Sequence, residues 1–207
     1  MQTVMDRIKK IGVVPVIKLD SPDQAVPLAK ALSAGGVGVA EVTFRTDAAE
    51  ESIRRIANEL PDVLIGAGTV ITVDQVDRAH KAGAQFIVSP GFSKDVVARC
   101  QELGLPVLPG CATPTEVMMA IEMGLTVVKF FPASIYGGLA GIKALAAAFP
   151  QMRFVPTGGV GPKNLAEFLE AKPIFACGGS WMVDANDLEK TEKLCAEAAA
   201  IVQEVRG

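Results

Sequence analysis

Lys129 lies in the run Val127-Val128-Lys129-Phe130-Phe131, flanked on both sides by large apolar residues. An ammonium in such surroundings is costly unless it is paired or neutral. That cost has a chemical use, because desolvation disfavours the charged form and offers a neutral amine that can attack a carbonyl to form a Schiff base. Glu41 sits in a second apolar run, Val39-Ala40-Glu41-Val42-Thr43-Phe44. Two readings of it stand side by side: a structural ion pair with Lys129, or a general acid and base beside an iminium carbon. Lys18 is the only other lysine at the end of an expected strand. Its neighbours Asp20 and Ser21 are polar, so it is expected to stay charged and to meet solvent or an anionic substrate.

Glycine pairs add a second signal. Pro156-Thr157-Gly158-Gly159 and Cys177-Gly178-Gly179-Ser180 each place glycines where backbone N–H groups can approach an anion. One pair alone is weak, since turns use glycine freely. Two pairs, at the ends of the seventh and eighth expected strands, predict a phosphate site. Gly66-Ala67-Gly68-Thr69 and Ser89-Pro90-Gly91 end the third and fourth expected strands. Their small residues are read as room for substrate, with tight turns as the plainer account.

Short apolar runs followed by helical patterns recur along the chain and must position these groups. Strands are expected at 13–17, 39–44, 64–68, 86–89, 107–109, 127–131, 154–157 and 175–178. Ser21-Pro22-Asp23-Gln24 and Thr113-Pro114-Thr115-Glu116 read as capping boxes with proline at the first helical position. Gly35-Gly36, Gly83, Gly104 and Gly124 read as helix ends. No linker or low-complexity stretch divides the series. After the first strand, Lys18-Leu19-Asp20-Ser21-Pro22 lacks the glycine turn typical of an open doubly wound sheet. The expected architecture is an α/β (β/α)8 TIM barrel, one compact domain over residues 1–207 with a short N-terminal helix. Side chains alternate along a strand, which groups Glu41, Thr43 and Arg45 against the apolar set Ala40, Val42 and Phe44. Glu41 and Arg45 should therefore face the barrel interior and its mouth. In the sixth strand, the same alternation groups Lys129 with Val127 and Phe131.

Bulk properties narrow the function classes. The 207 residues are 50% hydrophobic and 21% charged, and mean hydropathy is +0.35. No apolar run nears the roughly 18 residues of a membrane span, so the hydropathy is assigned to strands buried on both faces. A net charge of -3 and the absence of a basic stripe argue against a nucleic-acid partner. The segment Met1-Gln2-Thr3-Val4-Met5-Asp6 reads as a polar helix start rather than a signal peptide. Four cysteines without paired spacing read as reduced cytosolic thiols. The single histidine, His80, falls in a polar helical stretch and is expected on the surface, so no histidine-rich zinc site can be built.

Taken together, Glu41-Val42-Thr43-Phe44-Arg45-Thr46, Gly66-Ala67-Gly68-Thr69-Val70, Lys129-Phe130-Phe131-Pro132-Ala133 and Pro156-Thr157-Gly158-Gly159 carry a resemblance. The chain resembles, over nearly its whole length, the lysine-type 2-dehydro-3-deoxy-6-phosphogluconate / 4-hydroxy-2-oxoglutarate aldolase family. The resemblance implies Lys129 as the Schiff-base lysine and Glu41 as the proton-transferring carboxylate. It implies Arg45 and Thr69 at the substrate carboxylate, Pro90, Phe131 and Thr157 in the substrate pocket, and Gly158, Gly159, Gly179 and Ser180 around the phosphate. It further implies a cytoplasmic homotrimer of the Entner–Doudoroff route with no metal or cofactor, acting on a phosphorylated 2-keto acid and releasing pyruvate. Many members carry an acidic residue after Phe-Phe-Pro-Ala, where this chain has Ser134-Ile135-Tyr136, and relatives vary at Lys18. Both departures bear on substrate preference. The galactonate epimer of the substrate would use the same residues. A phosphosugar isomerase or epimerase would have no need of a buried lysine, and a non-catalytic barrel would form no covalent adduct.

Overall fold

The apolar runs become eight parallel strands in the computed structural model, which describes residues 3–207. Met1 and Gln2, the start of the expected N-terminal segment, lie outside the described residues. From there the chain runs α1 (Val4–Ile11), β1 (Val13–Ile17), α2 (Ala25–Ala34), β2 (Val39–Thr43), α3 (Ala49–Glu59), β3 (Leu64–Gly68), α4 (Val73–Lys81) and β4 (Phe86–Val88). It continues through α5 (Lys94–Glu102), β5 (Val107–Leu108), α6 (Pro114–Glu122), β6 (Val127–Phe130), α7 (Gly138–Ala148) and β7 (Arg153–Pro156). The last elements are α8 (Leu165–Glu170), β8 (Cys177–Gly179) and α9 (Leu188–Arg206).

The strands form a six-stranded sheet in the order β5-β4-β3-β2-β1-β8 and a two-stranded sheet of β6 and β7. Isolated parallel bridges connect the two sheets at Gly110↔Lys129 and at Thr157↔Gly178. The first gap has a covalent cause: β5 is two residues long and flanked by Pro106 and Pro109, neither of which can donate a ladder hydrogen bond. Lys129 N instead donates to Pro109 O at 2.9 Å, and Cys111 N donates to Lys129 O at 2.8 Å. The second gap corrects the eighth expected strand. Ile174 stands opposite Phe154 of β7, with Pro173 O accepting from Phe154 N and Phe175 N donating to Phe154 O, and only from Cys177 does the chain pair with β1.

Capping follows local chemistry. Thr113 and Glu116 make the expected capping box, whereas Ser21 does not. Ser21 Oγ accepts from Asp23 N and opens a 3₁₀ turn over Pro22–Gln24, so α2 starts at Ala25 without a side-chain cap. Gly36, Gly83, Gly104 and Gly124 adopt the left-handed conformation after their helices, while Gly35 does not. One continuous cluster of buried side chains fills the interior and the strand–helix layer. Phe130 and Phe154 pack edge to face at 6.3 Å within it. His80 is exposed, the four cysteines are free and buried, and burial pushes their thiols up to about 12. Among the described residues, no helix is long and apolar enough to cross a membrane.

Candidate active site

The parity argument holds at Glu41. Its strand is buried throughout, yet Glu41 is the one charged side chain in it. In register it stands beside Val16 of β1 and Gly66 of β3. Its carboxyl reaches Lys129 Nζ at 3.5 Å, across 88 residues of sequence, and the two residues are only 3% and 6% exposed. That separation is long for a hydrogen bond, so the contact is chiefly one of charge in a dry place. Burial raises the Glu41 carboxyl above its ordinary value, with the opposing pull of Lys129, and then of Arg45, too weak to reverse it. A carboxyl so placed can hold a proton at higher pH than a surface glutamate and can return it to a neighbouring carbon.

Glycine creates the space for this carboxyl. A Cβ on Gly68, the neighbour of Thr43 in register, would fall on Glu41 Oε1, Cγ and Cδ. A Cβ on Gly66 would fall on the Phe86 ring. The small residues ending β3 therefore hold protein side chains, which corrects their reading as room left for substrate. Thr69 follows Gly68 with φ +54°, the one non-glycine residue with positive φ among the described residues. For a β-branched residue this backbone is strained, and such strain gathers at functional sites.

Lys129 is framed on its other sides. Its ammonium lies 5.2 Å from the centroid of the Phe131 ring, which is partly exposed at the strand exit. Gly110 bridges to it, and Gly110 has no Cβ because the Pro90 carbonyl occupies that space. Thr157 is buried, and its Oγ1 fills the space a Cβ on Gly178 would need. Pro90 is half-buried at the exit of β4. Thus Thr69, Pro90, Phe131 and Thr157 follow within two residues of the ends of β3, β4, β6 and β7. Glu41 and Lys129 lie two residues and one residue inside the ends of β2 and β6, on the side where this type of fold carries its chemistry.

The two glycine loops are built differently from one another. Gly158 and Gly159 are left-handed, at φ +91° and +82°. Gly179 is buried, and a Cβ there would strike the Trp181 ring. The bridge Thr157↔Gly178 turns Gly158 toward β8, while the N–H groups of Gly159 and Ser180 meet no acceptor among the described residues. Free N–H groups around such a left-handed turn make an anion-binding concavity. Asn164 holds the first loop in shape, accepting from Gly161 N and donating to Gly159 O, both at 2.9 Å. Sequence reading missed Asn164; its signal was an asparagine three residues after Gly161, ahead of an apolar helix. It placed Thr43 beside Glu41 but gave it no task; Thr43 Oγ1 donates to Ile17 O at 2.8 Å and joins β2 to β1 at the mouth.

Arg45 and Ser180, both exposed, line a cavity of about 470 Å³ together with Lys18, Gln24 and Asn186. This cavity spans the exits of β8, β1 and β2. A buried amine beside a buried carboxyl, with cationic and N–H groups around the mouth, suits covalent capture of a carbonyl in an anionic substrate.

Comparison with known proteins points the same way. The profile of the KDPG and KHG aldolase family matches residues 4–197. A 2-dehydro-3-deoxy-phosphogluconate aldolase of Treponema pallidum is 50% identical over 188 residues, covering 91% of this chain and 90% of its own length. The 2-keto-3-deoxy-6-phosphogluconate aldolase of Zymomonas mobilis, crystallised with 3-phosphoglycerate, superposes with a TM-score of 0.91 at 40% identity, over 95% of each chain. The KDPG aldolase of Legionella pneumophila, crystallised with pyruvate captured as a covalent carbinolamine, superposes with a TM-score of 0.87 at 37% identity, over 99% of this chain and 98% of its own.

Proposed function

The chain belongs to the KDPG and KHG aldolase family, and on that premise we propose that Lys129 is its Schiff-base nucleophile and Glu41 its proton carrier. The enzyme is a carbon–carbon lyase that cleaves 2-dehydro-3-deoxy-6-phosphogluconate to pyruvate and glyceraldehyde 3-phosphate. The galactonate epimer is not favoured, because the curated relatives at 41–50% identity carry the gluconate name, while a KDPGal structure matches at 34%.

The observation that carries the mechanism is the buried Lys129–Glu41 pair at the strand exits. Lys129, having given up its proton, adds to the C2 ketone, giving a carbinolamine that loses water to an iminium. Glu41 then takes the C4 hydroxyl proton, directly or through a water. The C3–C4 bond breaks, its electron pair enters the iminium to give an enamine, and the aldehyde leaves. Glu41 returns its proton to C3, and water hydrolyses the iminium to free pyruvate and regenerate Lys129. Burial of Glu41 serves both transfers, since a raised carboxyl accepts and holds the proton until C3 is ready. The covalent carbinolamine of the Legionella relative supports the first step.

Arg45 and Thr69 bind the substrate carboxylate, Pro90, Phe131 and Thr157 line the pocket, and Gly158, Gly159, Gly179 and Ser180 bind the phosphate. The unpaired N–H groups of the two loops support that last assignment. The family's second substrate, 4-hydroxy-2-oxoglutarate, shares the reacting 2-keto-4-hydroxy acid unit and is cleaved to pyruvate and glyoxylate. The finer architecture we propose is a closed eight-stranded barrel in one domain over residues 1–207, supported by the bridges Gly110↔Lys129 and Thr157↔Gly178. In the cytoplasm it works as a homotrimer, for which exposed Ile71, Met118, Ile135 and Tyr136 offer apolar surface.

Borohydride reduction in the presence of pyruvate, read by intact mass, tests the assignment. The wild-type chain should gain one reduced pyruvyl group and Lys129→Ala none. An unmodified wild type, or a modified Lys129→Ala, defeats the role given to Lys129.

A further inference from the structure

Arg45 is exposed, and among the described residues its side chain takes no hydrogen bond or ion pair. A free arginine carries much rotamer freedom, so its guanidinium is aimed only by where the backbone starts it. That backbone has already left the β1–β2 ladder, which ends at Ile17↔Val42. Phe44 N donates to Gly68 O of β3 at 2.8 Å, and Arg45 N folds back onto Thr43 O at 2.8 Å. Neither N–H is left for β1. Two hydroxyls bond to β1 in their place: Thr43 Oγ1 donates to Ile17 O at 2.8 Å, and Thr46 Oγ1 donates to Leu19 O at 2.5 Å. They stand two residues before Arg45 and one residue after it. Burial alone would oblige Thr43 to find an acceptor. Thr46 is only half-buried, and water could serve its hydroxyl. That both bond to the exit of β1, on either side of Arg45, points to a shared task.

We propose that Thr43 and Thr46 are positioning residues that fix the backbone of Arg45 against β1 and so hold its guanidinium for the substrate carboxylate. The assignment rests on the aldolase reading and on the role it gives Arg45. The bond from Phe44 N to Gly68 O ties the same segment to the residue before Thr69, so the two groups given the carboxylate keep a fixed spacing. Neither threonine touches the substrate, and neither moves a proton.

Steady-state kinetics on Thr43→Val, Thr43→Ser, Thr46→Val and Thr46→Ser test this, each with Arg45 present and with Arg45→Met. Product inhibition by pyruvate is the second readout. Valine keeps the branched shape and removes the donor, and serine keeps the donor. Each valine variant should raise both KM for 2-dehydro-3-deoxy-6-phosphogluconate and Ki for pyruvate, which share the carboxylate, about threefold to tenfold. Their kcat should stay within about twofold, and the serine variants should lie near wild type. Arg45→Met alone should raise KM about tenfold or more, and in that background the valine changes should add nothing. A merely structural bond would act alike in both backgrounds, so equal rises with and without Arg45 overturn the proposal. Unchanged KM in both valine variants also overturns it, as does a fall in kcat at unchanged KM, which would place the threonines with Glu41. The half-buried Thr46 carries the test even where Thr43→Val fails to fold. Wild-type KM in Arg45→Met would overturn the carboxylate role of Arg45 and this proposal with it. Absence of wild-type cleavage of the phosphorylated acid would overturn the aldolase reading itself.

Discussion

Replacing Lys129 by methionine keeps most of the side-chain volume and removes the charge beside Glu41. The two charged groups are 3.5 Å apart, a separation at which unit charges attract by roughly 5 kcal/mol at an effective dielectric of about 20. The variant does not lose that much, because Glu41 can escape by taking a proton. The escape costs what it takes to protonate a carboxyl of ordinary value 4.5 at the working pH, roughly 0.7 kcal/mol at pH 5 and roughly 3.4 kcal/mol at pH 7, at about 1.36 kcal/mol per unit. The sign follows from proton binding. Burial already raises the folded-state Glu41 carboxyl, and without Lys129 only Arg45 opposes that rise. Between pH 4.5 and the raised folded value, the folded chain binds more protons than the unfolded one. Stability is therefore intact at low pH and falls as pH rises through that window. Wild type already spends part of this range, so the gap between Lys129→Met and wild type should widen from pH 5 to pH 7 by less than the roughly 2.7 kcal/mol that separates those two costs. For a chain of this length that is a widening of at most about 5–11 °C in Tm. Thermal melts of both proteins at half-unit steps from pH 5 to 7 read it directly. The double variant Lys129→Met/Glu41→Gln should remove the slope. A gap between Lys129→Met and wild type that stays constant within about 1 °C across the range would refute the reasoning, since a buried carboxyl deprived of its partner cannot be indifferent to pH.

Three further outcomes follow from the packing. Gly68→Ala drives a methyl group into the Glu41 carboxyl; overpacking should cost about 1–3 kcal/mol in urea melts, and kcat should fall at least about tenfold. Unchanged kcat would mean that the position of Glu41 is unimportant. Thr69→Gly relieves the positive φ and Thr69→Val keeps it, so the glycine variant should be more stable by about 1 kcal/mol or more while both raise KM; equal melting curves would remove the strain argument. Arg206 donates to the carbonyls of Leu169, Ile174 and Phe175 from a half-buried position that lowers its guanidinium from the ordinary value. Arg206→Ala should cost about 2–3 kcal/mol by leaving those acceptors unmet, and a loss below about 0.5 kcal/mol in the same melts would contradict it.

The strands were legible because parallel strands buried on both faces read as nearly continuous apolar runs. Glu41 and Lys129 stood out as charges inside such runs, and alternation alone put Glu41 with Thr43 on the inner face. Pairing between β5 and β6 was not legible, since it fails through prolines that look harmless at the edges of a short run. Nor was the switch of partners at 174–177, where the segment leaves β7 before it joins β1. The Ser21 segment misled because the residue types of a capping box do not ensure its geometry: Pro22 starts a turn, and Ser21 Oγ bonds one residue too early. The mouth cavity was invisible for a different reason. Gln24 and Asn186 are loop residues brought together by strand order, and no local pattern records that order.

The glycines of β3 show where reading a sequence for empty space goes wrong. A small residue inside a crowded parallel sheet implies a large neighbour as readily as a vacancy. Gly66 admits the Phe86 ring, Gly68 admits the Glu41 carboxyl, Gly110 admits the Pro90 carbonyl and Gly178 admits the Thr157 hydroxyl. Each costs about 0.5–1 kcal/mol of backbone entropy relative to alanine, and in return a bulky or reactive group lies closer to the next strand than a Cβ would allow. At Gly68 the exchange has a chemical result. With the carboxyl tucked against backbone, Glu41 is dry enough for its proton affinity to rise, yet stays 3.5 Å from Lys129, as the proposed pairing of nucleophile and proton carrier requires. A larger residue at 68 would displace the Glu41 carboxyl from this place and, on the proposed mechanism, impair return of the proton to the enamine. The residue that positions this carboxyl is thus one that has no side chain.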